Sequence, residues 1–288
     1  MSSPNIAARN PLSYRGELKP VWCPGCGDYG VLASMYQALS RKKVPPEDVV
    51  IVAGIGCSGR LPGYVNAYGF HGVHGRTLPV ATGVKLANPS LTVFAVGGDG
   101  DGLAIGGGHI PHAARRNVDI TYLMMDNSIY AQTKGQSSPT TSRDSESASM
   151  PYGTVEDPLN PIAMAIAYGV SFVARGYAAR SQQLVELISR GMDHKGFSFI
   201  HVISPCVTHL DTYRAMSAKV VDLEELAPGH DPADKLSAFS LAQEEDRVPL
   251  GVFYQVEKAP FHERLAEIRR KAQPEGQSTV SDLMSRYR

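Results

Sequence analysis

The sequence predicts an α/β protein of three layers, a parallel sheet with helices on both faces, followed by a C-terminal arm. Three observations lead there. Apolar, β-branched runs recur at 48–54, 91–98, 118–127, 170–176 and 197–205, and continuous runs of that length suit strands buried on both faces. Stretches with helical spacing alternate with them, which argues for crossover connections. Glycine is plentiful and clusters between residues 54 and 108, where backbone would lie close to a ligand.

In chain order, residues 1–20 are polar with scattered prolines and read as an N-terminal arm without its own core. Asp28 to Lys43 reads as a helix, with Asp28 as its cap and Leu32, Met35, Tyr36 and Leu39 on one face. DVVIVAG, LTVFAVGG and VDITYLMMDN follow as strands, with a helix from Leu103 to Arg116 before the third. Residues 128–160, rich in Ser, Thr, Pro and Gly, read as a long loop, and loops of that length are usually functional or mobile. PIAMAIAYG is a helix, VSFVARG a strand, Ala179 to Asp193 a helix and FSFIHVISP a last buried strand. Beyond about residue 225 the pattern weakens. The expected division is therefore an arm at 1–20, a domain at 21–225, and an arm or extension at 226–288 packed on a partner.

The chain has 288 residues with 28 basic and 28 acidic side chains. That balance gives no reason to expect nucleic acid or an anionic membrane as a partner. No apolar stretch approaches the roughly 18–20 residues that span a bilayer. MSSPNIAARN lacks the charged-then-apolar pattern of a signal peptide. A cytoplasmic protein is expected.

Four cysteines are too few for a disulfide scaffold in a chain this long. Cys23 and Cys26 form CPGC, Cys57 lies in GIGCSG and Cys206 in ISPCVT. Cys57 and Cys206 each follow an expected strand, and in a parallel sheet those ends share one side. A lone buried cysteine is more often a small packing residue. A CxxC pair with two more cysteines at matching loop ends favours a metal or a cluster. Four thiolates suit zinc equally well. A redox pair is less favoured, because no strand precedes Cys23.

GGDGDGLAIGGGH (97–109) begins where a strand ends and a helix starts. Glycines there let backbone N–H groups approach a phosphate. Carboxylates among them would repel a bare phosphate, unless a hard cation sits between Asp99 and the phosphate oxygens. Asn127 closes the next strand, 28 positions later. A lone GDG is common; GDG with an Asn at that spacing, each at a strand end, is far more specific.

GDG (98–100) with Asn127 resembles the diphosphate-binding motif of thiamine diphosphate enzymes. CPGCG, GIGCSGRLPGY, HGRTLPVATGVKLANP, GGDGDGLAIGGGH, DNSIYAQTKGQSSPTT and SPCVT together resemble the β subunit of the 2-oxoacid:ferredoxin oxidoreductases. The likeness covers about residues 20–210, and GCSGRLPG and HGR are more similar to the 2-oxoglutarate branch than to the pyruvate branch. The resemblance implies the diphosphate module of the thiamine diphosphate-binding fold. It implies one 4Fe–4S cluster on Cys23, Cys26, Cys57 and Cys206. It also implies magnesium on Asp99, Asn127 and the carbonyl of Ile129. Ile55, Gly56, Cys57 and Ser58 would line the cofactor, as would His74, Gly75, Arg76 and Thr77. Gly98, Gly100 and Asp101, and the turn Ala131–Gln132, would complete that lining. The implied reaction is oxidative decarboxylation of a 2-oxoacid with coenzyme A to acyl-CoA, CO₂ and reduced ferredoxin, or its reverse; for 2-oxoglutarate the product is succinyl-CoA.

Substrate carboxylates need cations. Arg60 and Lys134 lie in loops that the resemblance places near the thiazolium, and both are expected substrate contacts. His74 is the histidine expected to bond the cofactor. Thiamine diphosphate enzymes need a Glu to activate the aminopyrimidine, and no Glu occurs between Asp48 and Glu146. The resemblance supplies it from a separate α subunit, so the chain is expected to be half of a site in an αβ unit paired as (αβ)2. The rivals are a pyruvate- or indolepyruvate-specific relative, a simple thiamine diphosphate decarboxylase and, from another class, a zinc-stabilised non-catalytic scaffold or nucleotide-binding module.

Overall fold

The computed structural model describes residues 10–272, 279–285 and 287. The reading of MSSPNIAARN as lacking a leader pattern falls almost wholly outside them. In chain order, α1 (Asp28–Lys42) leads to β1 (Val49–Ala53), the edge strand β2 (Tyr68–His71), α2 (Thr77–Ala87) and β3 (Thr92–Gly98). Next come α3 (Ile110–Arg116), β4 (Ile120–Asp126), α4 (Pro161–Ala167), β5 (Phe172–Tyr177), α5 (Ser181–Asp193) and β6 (Phe197–Ile203). The last part holds α6 (Tyr213–Lys219), β7 (Val220–Asp222), α7 (Leu223–Leu226), α8 (Lys235–Ala242), β8 (Val248–Gln255), α9 (Phe261–Ala272) and α10 (Val280–Ser285).

All eight strands form one sheet, in the order β2-β1-β3-β4-β6-β5-β8-β7. β1 to β6 run parallel and β8 joins β5 antiparallel. Alternation along each strand divides the core. Ile51, Phe94, Val96, Leu123 and Ile200 face one side with Met35 and Leu39 of α1 and Leu184 and Ile188 of α5. Val52, Ala95, Tyr122, Met124 and Phe199 face the other, against Leu78 and Ala81 of α2, Ile110 of α3 and Ile162 of α4. Each fully buried Val, Leu, Ile, Phe or Met among them contributes about 1.5–3 kcal/mol, which is why the three-layer reading holds. Among the described residues no helix is long and apolar enough to cross a membrane.

Four local departures have physical causes. Asp28 does not cap α1: Gly27 occupies that position, and Asp28 is buried and accepts from Ser204 Oγ at 2.6 Å. A Cβ on Gly27 would meet Ser204 and Pro205 at 2.7–2.8 Å, so the chain docks on the exit of β6 and turns Asp28 inward. The expected helix from Leu103 to Arg116 is broken into a π-helical turn at Gly100–Ile105, a 3₁₀ turn at Gly107–His109, and α3. Gly106 to Gly108 are poor helix formers, and the Gly106 N–H reaches back five residues to the Asp101 carbonyl at 3.1 Å. β8 lies in the stretch read as an arm, hidden in the sequence by Pro249 and by Gly251, at φ 143°. β2 was likewise missed, being short and wholly exposed at the opposite edge. The N-terminal arm is pinned to the main core by buried Tyr14, whose hydroxyl donates to the Val44 carbonyl at 2.5 Å.

Candidate active site

The C-terminal ends of β1, β3 and β4 open into a cavity of about 220 Å³. β1 delivers the whole Ile55–Ser58 segment to its wall. β3 delivers Gly98, Asp99, Gly100 and Asp101, and β4 delivers Asn127, Ile129, Ala131 and Gln132. His74 lines it too, as does Asp28, which sequence reasoning had taken for a cap. The two strand ends that carry GDG and Asn127 therefore meet at one cavity, because β3 and β4 are parallel neighbours with Gly98 opposite Met125.

The two aspartates of GGDGDG both line the cavity but have different partners. Asp101 Oδ1 accepts from the N–H groups of Ile55 (2.9 Å) and Gly75 (2.7 Å) and lies 2.8 Å from His74 Nδ1. Asp101 Oδ2 accepts from Thr77 Oγ1 at 3.2 Å. This buried carboxylate thus ties the GIGCSG loop to HGRT. Gly75 and Thr77, expected to line the cofactor, stand behind the cavity wall on Asp101, and Arg76 Nη1 donates to the carbonyls of Gly75 and Ile105. Gly54 makes room for the junction, since a Cβ there would come within 2.1 Å of Asp101 Oδ2. Gly54→Ala is expected to cost about 2–4 kcal/mol of stability by displacing a bonded carboxylate. Gly83→Ala, in open helix surface, is the control expected to lose nothing. Denaturant unfolding of both variants checks this.

Asp99 lines the same cavity and is only 2 % exposed. Burial and the neighbouring Asp126 carboxylate push it up to about 7. Its Oδ2 accepts from Thr140 Oγ1 at 2.9 Å. Two buried carboxylates side by side are costly without a cation between or beside them. Asn127, whose Oδ1 accepts from the Ile129 N–H at 3.2 Å, and Ile129 line the same cavity as Asp99, and the three could supply the oxygen donors that magnesium prefers. Tyr130 OH donates to the Gly100 carbonyl at 3.2 Å, and a Cβ on Gly100 would strike that ring at 2.2 Å.

The four cysteines are free thiols gathered around the same end of the sheet. Cys26 and Cys57 each feel the charge of Cys206, Cys26 that of Cys57, and Cys57 that of Cys23. Burial and the Asp28 carboxylate push Cys26 well above its ordinary value and Cys57 up to about 12. A cationic iron or zinc centre deprotonates such thiols outright. Cys57 also lines the cavity, and its carbonyl accepts from Trp22 Nε1 at 2.8 Å, an indole packed on Tyr29 and Tyr64.

Arg60 and Lys134 do not line the cavity. Both are exposed; Arg60 Nε donates to Tyr64 OH at 3.3 Å, and Lys134 sits at a left-handed turn with φ 95°. His201 and Arg175 were missed altogether. Both are buried at the C-terminal halves of β6 and β5, beside Asp126. A charged or imidazole side chain inside a buried run was the available signal.

Comparison with known proteins agrees with this geometry. Residues 25–202 match the family model "Thiamine pyrophosphate enzyme, C-terminal TPP binding domain", and residues 206–270 match the model for the C-terminal part of the pyruvate ferredoxin oxidoreductase beta chain. The β subunit of 2-oxoacid:ferredoxin oxidoreductase 2 from Aeropyrum pernix is 42 % identical over 276 residues, covering 91 % of this chain and 88 % of that one. The 2-oxoglutarate synthase subunit KorB of Methanothermobacter thermautotrophicus is 44 % identical over 206 residues, 72 % of each chain. A solved 2-oxoglutarate:ferredoxin oxidoreductase from Magnetococcus marinus, with 2-oxoglutarate, coenzyme A and succinyl-CoA bound, superposes with a TM-score of 0.94 at 36 % identity over 99 % of this chain and 98 % of that one. With 42 % identity to such a subunit over 91 % of its length, this chain belongs to the β subunits of the 2-oxoacid:ferredoxin oxidoreductases.

Proposed function

We propose that this chain is the cofactor-holding subunit of a coenzyme A-acylating 2-oxoglutarate:ferredoxin oxidoreductase. In that reading Asp99, Asn127 and the Ile129 carbonyl hold magnesium, and the magnesium holds the diphosphate of thiamine diphosphate. Cys23, Cys26, Cys57 and Cys206 hold one 4Fe–4S cluster. The observation that carries the reading is the shared cavity: a buried, cation-seeking Asp99 beside Asn127, with Cys57 in the same wall. Bound there, thiamine diphosphate supplies an electron sink for decarboxylation and the cluster a one-electron acceptor leading to ferredoxin.

The chain's own residues then have distinct tasks. Asp99 and Asn127 position a cation. Asp101 holds His74, Gly75 and Ile55 in register around the cavity. Ile55, Met125 and Ile129 give the wall an apolar lining. None of the lining residues is a glutamate, so the aminopyrimidine-activating carboxylate comes from an α subunit, in an αβ unit paired as (αβ)2. Arg60 and Lys134 remain the expected contacts for a substrate carboxylate, carried on exposed loops outside the cavity lining. Ferredoxin and coenzyme A are the remaining partners, and we place the enzyme in the cytoplasm. Substrate choice rests on the KorB and Magnetococcus marinus relatives; a pyruvate- or indolepyruvate-specific enzyme is the second reading, favoured by the name of the model matched at 206–270.

Anaerobic co-purification with the α subunit tests all of this. About four irons and four sulfides per chain are expected, with ferredoxin or dye reduction by 2-oxoglutarate that depends on coenzyme A. About one zinc and no sulfide would support the scaffold reading, turnover without coenzyme A a simple decarboxylase, and faster turnover of pyruvate or indolepyruvate the other branch.

A further inference from the structure

One polar network leads away from the cavity and has no task in the function above. Asp126 closes β4 next to Asn127 and is buried. Its Oδ1 accepts from the Ser128 N–H at 2.8 Å and lies 2.8 Å from Thr140 Oγ1. Its Oδ2 lies 2.7 Å from His201 Nε2, and His201 Nδ1 receives the Arg175 Nε–H at 3.2 Å. A guanidinium only donates, so His201 Nδ1 is the lone pair and Nε2 carries the proton. His201 is therefore a fixed donor to Asp126. Arg175, 8 % exposed, is itself fixed over the Phe253 ring at 5.3 Å.

Thr140 stands between the two carboxylates. Its hydroxyl lies 2.9 Å from Asp99 Oδ2 and 2.8 Å from Asp126 Oδ1, yet it has one proton to give. While His201 and the Ser128 N–H serve Asp126, that proton is free for Asp99. Donation to Oδ2 fixes the rotation of the Asp99 carboxylate that faces the cavity. Thr140 thereby ties the long loop at 128–160 to the Asp99 carboxylate, as Tyr130 ties it to the Gly100 carbonyl.

We propose that Arg175, His201, Asp126 and Thr140 form a positioning relay that orients Asp99 for its divalent cation. Arg175 sets the His201 tautomer, His201 satisfies Asp126, and a satisfied Asp126 leaves the Thr140 proton to Asp99. None of the four need touch the cation. The relay rests on Asp99 being a cation ligand. Outer partners of this kind change metal affinity by about 10- to 100-fold when lost.

The test uses the complete αβ complex with thiamine diphosphate, and Mn²⁺ as the probe, read by loss of the free-ion EPR signal. Thr140→Val removes the proton, and His201→Leu removes the donor to Asp126. Each is expected to weaken Mn²⁺ binding about 10- to 100-fold. Thr140→Ser and His201→Gln keep a donor in reach and are expected to stay within about threefold of the parent. Unchanged Mn²⁺ affinity in Thr140→Val or in His201→Leu overturns the relay, as does equal weakening in the paired conservative variants. If Thr140→Val does not fold, the His201 pair decides. Asp99→Asn separates the two levels: loss of Mn²⁺ there with normal binding in Thr140→Val overturns the relay alone, whereas normal Mn²⁺ binding in Asp99→Asn overturns the cation assignment beneath it.

Discussion

Replacing Asp99 with alanine abolishes magnesium-dependent binding of thiamine diphosphate and leaves the iron–sulfur spectrum intact. Asp99 is the one carboxylate in the proposed ligand set, alongside a neutral amide and a backbone carbonyl. Removing it leaves the cation without an ionic protein ligand in a buried site, and a loss on the order of a hundredfold or more follows. The cysteines are carried by other loops, so their chromophore is a built-in control for folding. Titration of the variant complex with thiamine diphosphate at fixed magnesium, followed by circular dichroism, gives the affinity. A normal affinity contradicts the proposed shell.

Replacing Cys206 with alanine does the converse: the cluster is lost or converted to a species with fewer irons, and thiamine diphosphate still binds. Cys206 is buried after β6 and lies outside the cavity wall, whereas Cys57 belongs to both groups. An apolar methyl cannot replace a thiolate on iron, and a four-cysteine cage that loses one ligand gives up an iron or collapses. Iron and sulfide analysis with low-temperature EPR reads the outcome. Iron content unchanged at about four per chain shows that the fourth ligand lies elsewhere.

What the sequence revealed follows from how locally each feature is encoded. The buried strands were legible because both faces are covered, so β3 and β4 read as continuous apolar runs. The meeting of Asp99 and Asn127 was legible because parallel strands bring their C-terminal ends to one side. Other features depend on tertiary contacts that no local pattern records. Asp101 looks like Asp99 in the motif, and only the approach of Ile55 and Gly75 decides that it holds the wall together. Asp28 looks like a cap until Gly27 is seen against Ser204. β8 pairs antiparallel with β5 across a register shift, and its Pro249 and Gly251 erase the strand signal. His201 and Arg175 become meaningful only through Asp126, which is 75 positions from His201.

The most direct measurement is anomalous scattering from crystals of the αβ complex grown anaerobically with thiamine diphosphate and Mn²⁺. The expected map has a manganese peak bonded to Asp99, Asn127 and the Ile129 carbonyl, and separate iron density enclosed by the four cysteine sulfurs. Manganese bound elsewhere with the diphosphate still in place, or thiols without iron between them, would contradict the assignment of both sites.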